Sequence, residues 1–226
     1  MPSAREVRLA GVGYLLVIAG GLFAQLFVRE PLFSTGDPAA TARAIATNEA
    51  LWRWGIGVHL LYVLVAVAVN VTLYQVFRSV QPSLALLALI FGVSDAIMEA
   101  LLLTSLSVPL VMIQETGALG AIGEGQRHAI GYVAVRLFFN GWSFALLLFS
   151  GFCALLGLLI VWSRFVPRVF GVLMIAAGAG YFVSSLAGLL QPELSNALTP
   201  WILLPSFVGE LSLALWLTAK GIKTRS

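Results

Sequence analysis

Asp95 and Glu99 stand four residues apart in the stretch GVSDAIMEALLLT, which begins at residue 92 of an otherwise oily sequence. On a helix that spacing puts both carboxyls on one face, one turn apart. Two acids in an apolar setting can bind, hold or donate a proton. Arg136 and Asn140 repeat the spacing, Glu210 is the single charge of a late apolar run, and His59 lies in an early one. A charge at mid-membrane costs at least about 2.5–3.5 kcal/mol even on a lenient insertion scale, so such groups face protein or water. Glu99, Asp95, Arg136, Glu210, His59 and Asn140 are therefore the candidate ligand-binding or proton-handling residues, with Asn70, Ser184 and Ser185 as weaker members. One arginine, Arg136, can neutralise only one of the three carboxylates. The bland alternatives are that Arg136 pairs with Glu99 or Asp95 as structural glue, and that His59 is satisfied by a backbone carbonyl. Tyr62, Tyr74, Tyr132 and Tyr181 read as interfacial or packing residues.

The elements that carry these groups follow from composition. Of 226 residues, 60% are hydrophobic and 10% charged, with a mean hydropathy of +0.97, whereas a soluble domain is about one quarter charged. The fold class expected is all-α: a polytopic transmembrane helix bundle forming a single domain over residues 1–226, with the lipid bilayer as its partner. The net charge of +3 does not point to nucleic acid, because the basic residues are scattered at segment ends. With one cysteine, Cys153, and two well-separated histidines, His59 and His128, no zinc, haem or iron–sulfur ligand set is visible. No metal or cofactor is expected.

Six spans are read, at 9–28, 54–77, 83–113, 130–163, 168–190 and 199–220. The basic start MPSAREVR precedes an apolar run of about 20 residues, long enough to span rather than to serve as a signal core. Arg5, Arg8, Arg78, Arg164, Arg168, Lys220, Lys223 and Arg225 fall on one side. The other side carries Arg29, Arg43, Arg53 and Arg127, diluted by Glu30, Asp37, Glu49, Glu115, Glu124 and Glu193. That bias implies both termini inside. The third and fourth spans exceed the length a perpendicular crossing needs, so they extend beyond the membrane, and Pro109 should kink the third. Residues 37–55 read as an outer interfacial helix capped by Asp37 and Pro38, with Trp52 and Trp54 at the interface. Residues 114–127, with four glycines, read as an irregular, mobile loop.

At roughly 1.5 Å per residue, Asp95 and Glu210 come near mid-membrane, while Glu99, His59, Ser184, Ser185, Arg136 and Asn140 come further out. Those depths imply a polar cavity of several hundred Å3, open to the outer side, for a small amphipathic ligand or proton. An intramembrane enzyme acting on a lipid or isoprenoid is the second reading, with Glu99 or Asp95 as general acid or base. A non-catalytic component that binds a partner protein is the third. Oligomeric state cannot be read from the sequence.

The segments WSRFVPRVFGVLMIAAGAGYFVSSL (162–186) and LLPSFVGELSLALWLTAKGIK (203–223) resemble the bacterial family called domain of unknown function 4386. The start RLAGVGYLLVIAGGLF, the LYQVFR close of the second span and an acid at Glu99 fit it more loosely. The resemblance covers nearly the whole chain and is most specific at 164–171 and 209–221. It implies a six- or seven-helix integral protein of the bacterial inner (cytoplasmic) membrane, and supplies no activity, substrate or catalytic residue. In physical terms, SRFVPR makes a helix-to-helix turn whose Arg164 and Arg168 anchor to headgroups. Pro205 can free a carbonyl near Glu210, and AAGAGY offers a small-residue face for close packing.

Overall fold

A backbone polar group in lipid has no water to bond, so a chain this apolar must satisfy its N–H and C=O groups internally, and helices do so within one segment. The computed structural model describes residues 3–114 and 117–221, without side chains for 117, 118, 192–200 and 203. Glu115, Lys223 and Arg225 lie outside the described residues, as does the side chain of Glu193.

Seven helices follow one another among the described residues: α1 (Ala4–Leu32), α2 (Pro38–Thr47), α3 (Glu49–Phe77), α4 (Pro82–Met112), α5 (Glu124–Trp162), α6 (Arg168–Leu190) and α7 (Pro192–Lys220). No strand occurs among them. Five of the seven, α1, α3, α4, α5 and α6, are long and apolar enough to cross a membrane. Their exposed faces carry Leu61, Leu64, Leu101, Val133 and Leu137, as expected of surfaces turned toward lipid. Helix α1 is not uniform, because Phe23–Arg29 is wound as a π-helix. Helix α2 starts as the sequence implied, with Asp37 Oδ1 accepting the Ala40 N–H at 2.8 Å and Pro38 in the first turn. Within the segment read as an irregular loop, Gly117–Ala121 form a 3-10 turn and α5 is under way from Glu124. Pro109 lies inside α4.

The contacts sort into two compact units. The first comprises the chain up to Ile18, Leu64–Met98 and everything from Ser143 onward. Its core holds Val7, Tyr14, Leu73, Phe77, Phe152, Leu156, Met174 and Leu217. Helices α5 and α6 meet there backbone to backbone. A methyl added at Gly157 would sit 2.6 Å from the Gly171 carbonyl oxygen, and one at Gly171 would sit 2.7 Å from that of Gly157. Gly178, in the small-residue face, is equally close to Ser150. Gly171→Ala should therefore cost about 1–3 kcal/mol through forced separation, seen as a lower midpoint of thermal unfolding in detergent. An unchanged midpoint would mean that the helices do not need this approach.

The second unit comprises Ala19–Val63 and Glu99–Trp142. Its core holds Val28, Ile45, Trp52, Leu106, Val135 and Phe138. Trp54 is 70% exposed, whereas Trp52, expected beside it at the interface, is 1% exposed. Buried indole needs a partner for its N–H, and Trp52 Nε1 donates to the Leu106 carbonyl at 2.8 Å.

Candidate functional site

The polar cluster of the second unit is assembled from four helices. Helix α3 supplies His59 and, one turn on, Tyr62; α4 supplies Glu99; α1 supplies Arg29 and Gln25; α5 supplies the rings of Phe138 and Trp142. His59 Nε2 lies 2.9 Å from Glu99 Oε2 and 2.6 Å from the Tyr62 hydroxyl. The Tyr62 hydroxyl donates to Glu99 Oε2 at 3.0 Å. On the other edge of the imidazole, Arg29 Nη1 is 3.0 Å from Nδ1. Arg29 Nε donates to Gln25 Oε1 at 2.9 Å, and Gln25 Nε2 donates to Glu30 Oε1 at 3.2 Å. The guanidinium lies 4.9 Å from the centre of the Phe138 ring.

Packing holds the imidazole still. It stacks on Tyr62 at 4.4 Å and meets Phe138 and Trp142 edge-on at 5.8 and 5.7 Å. His59 is fully buried and Arg29 is 3% exposed, whereas the Glu99 side chain retains 13% of its exposure. Glu99 on one side of the imidazole and Gln25 behind Arg29 on the other both keep partial exposure. The arrangement is a continuous hydrogen-bonded path from that carboxylate through a hydroxyl and an imidazole to a buried guanidinium. An acid and an imidazole in such contact are groups able to bind a proton and exchange it.

The first unit holds the other acids. Glu210 on α7 is 8% exposed and accepts from Tyr14 on α1 at 3.0 Å through Oε2. Its Oε1 accepts from Tyr181 on α6. Asp95 on α4 is also buried. Near them, Ser206 shares its hydroxyl between the carbonyls of Ala177 and Ile202, and helix α7 continues through Pro205.

Of the six candidates, His59 and Glu99 are in contact. Asp95 and Glu210 fall in the first unit, and the border between units runs between Met98 and Glu99. Arg136 and Asn140 are exposed on α5, on the face that also carries Val133 and Leu137, so Arg136 is not the cation that compensates Glu99. Two hollows, one lined by Pro109, Arg127 and Tyr132 and the other by Asn70, Phe77 and Phe152, are lined by none of the six.

Four polar partners are not evident from the sequence. Arg29, counted among outer-loop charges, is buried against His59. Tyr62 and Tyr181, which read as interfacial or packing residues, bond carboxylates, and Tyr14 does the same. One signal was available for Arg29: Gln25 and Arg29 are an i,i+4 polar pair at the end of an apolar run.

A family model described as Domain of unknown function (DUF4386) matches residues 9–221. No curated protein and no solved structure matches the chain.

Proposed function

The chain belongs to the DUF4386 family, a domain of unknown function, and from that premise we propose that its buried cluster defines what it does: a multi-pass membrane protein in which Glu99 and His59 take up and pass a proton, alone or together with a small amphipathic ligand. The observation that carries this reading is the unbroken path Glu99–Tyr62–His59–Arg29. Ionisable side chains in membrane helices are costly, and are kept where ions, protons or substrates are handled. A partly exposed Glu99 carboxyl with a sealed imidazole behind it suits a proton that arrives at Glu99 and reaches His59.

The chain crosses the bilayer six times in this account, with α7, 29 residues long, as the sixth crossing and both ends on the inner side. Helix α2 lies at the outer surface. His59 follows the exposed Trp54 by five residues, about 7 Å along the helix, which puts the cluster in the outer half of the membrane.

Proteoliposomes loaded with a pH-sensitive dye test the reading. After an external acid pulse, the wild type should acidify the lumen at least about tenfold faster than His59→Gln or Glu99→Gln, given what a positioned acid or base contributes to proton transfer. Equal rates in folded variants would overturn it. The same His59–Glu99 contact favours a second reading, a general acid–base pair acting on a lipid or isoprenoid. Mass spectrometry of lipid extracts incubated with wild type and Glu99→Gln separates the two: product formed only by the wild type would establish the enzyme.

A further inference from the structure

We infer that Arg29 is a positioning residue. Carried by the π-helical turn Phe23–Arg29, it holds His59 in the neutral form whose ring proton faces Tyr62 and Glu99, and it lets go when His59 takes a second proton. This rests on the reading of the cluster as proton-handling.

The inference begins with donor inventory. A guanidinium carries only donors, so the 3.0 Å contact between Arg29 Nη1 and His59 Nδ1 requires Nδ1 to accept. The ring proton is then on Nε2, 2.6 Å from the Tyr62 hydroxyl and 2.9 Å from Glu99 Oε2. That order lets Nε2–H donate toward Tyr62 while the Tyr62 hydroxyl donates to Glu99, so every group has a compatible partner. The opposite neutral form would turn a nitrogen lone pair toward the carboxylate and an N–H toward the guanidinium, mismatching both edges of the ring.

A doubly protonated His59 breaks this arrangement at one contact only. Its Nδ1–H would face the Arg29 N–H, donor against donor and cation against cation, while Nε2–H would keep its bond to Glu99. The groups facing the ring from each neighbouring helix are Arg29 from α1, with Gln25 and Glu30 behind it, Glu99 from α4, and the uncharged rings of Phe138 and Trp142 from α5. Tyr62 is the partner on its own helix. None of the α5 groups can offset the repulsion at Nδ1.

Helix α1 provides the means of release. Seven residues of π-helix, Phe23–Arg29, are unusual, since π turns are rare and concentrate at functional sites. Arg29 is the last of them and Gln25, which accepts from its Nε, belongs to the same stretch. A one-residue return to α register would turn Arg29 by about 100° around the helix axis, away from the ring.

The experiment uses the full chain in nanodiscs, with ring-15N histidine in a His128→Gln background so that His59 is the single histidine. Above its titration, the wild type should show an unprotonated Nδ1 and a protonated Nε2. Arg29→Gln should show a mixture of the two neutral forms, and Arg29→Lys, which still donates, should recover the wild-type form in part. A protonated Nδ1 in the wild-type neutral ring would overturn the inference even if Arg29→Gln does not fold. Hydrogen exchange reads the release. Residues 23–32 should exchange about tenfold faster once His59 is protonated, as expected for loss of one charge-assisted bond, and this acceleration should vanish in His59→Gln. The same acceleration in both proteins would overturn the latch. Proton flux that fails while the ring form is as described would remove the proposed function and leave the positioning role standing.

Discussion

Glu99→Leu is expected to destabilise the protein by about 3–5 kcal/mol, and Arg29→Leu added to it should recover most of that loss rather than double it. The reason is the charge left behind. Arg29 is 3% exposed, and it is linked to Glu99 through His59 and to Glu30 through Gln25. Removing Glu99 leaves a buried guanidinium without the acid it reaches through His59, and an under-compensated buried charge is the costly result of removing one partner. Removing both charges leaves an apolar gap and a His59–Tyr62 bond, a far cheaper defect. Equilibrium unfolding of the single and double variants in mixed micelles measures the coupling. Additive losses would show that Arg29 and Glu99 do not act as a unit.

The second large effect is expected at Glu210. Glu210→Ala takes the acceptor from two buried hydroxyls at once, those of Tyr14 and Tyr181. At about 1–3 kcal/mol for each orphaned group, with a cavity besides, the cost should come to about 3–5 kcal/mol. Glu210→Gln keeps a carbonyl oxygen and should lose less than half as much. Replacing Glu210 by leucine together with Tyr14→Phe and Tyr181→Phe removes acceptor and donors alike and should restore much of the stability. Chemical denaturation of the four proteins reads the series. A Glu210→Ala protein as stable as the wild type would mean that the tyrosines find other acceptors and that Glu210 does not tie α1, α6 and α7 together.

The helical class and the position of most apolar segments were legible because composition and run length alone dictate them. The depth argument also brought His59 and Glu99 to comparable levels, and these two are in contact. It could not say which way each residue points around its helix. Arg136 and Asn140 have suitable depths but occupy the α5 face shared with Val133 and Leu137. Arg29 was hidden for a different reason. A basic residue at the end of an apolar run looks like an interfacial anchor, and the π winding that turns it inward has no simple sequence signature. The tyrosines were hidden by chemistry, since a phenol suits an interface, a core or a carboxylate equally well. Asp95 and Glu99 share a helix face one turn apart, and the border between the two packing units falls between them.

The most direct test of the central claim, that Glu99 and His59 exchange a proton with their surroundings, is pH-difference infrared spectroscopy of the protein in lipid. The wild type should give a reversible band pair from a carboxyl and an imidazole that change together, with the carboxyl band absent in Glu99→Gln and the imidazole band absent in His59→Gln. A spectrum with no such bands over the pH range in which the protein stays folded, or bands that survive both substitutions, would contradict it.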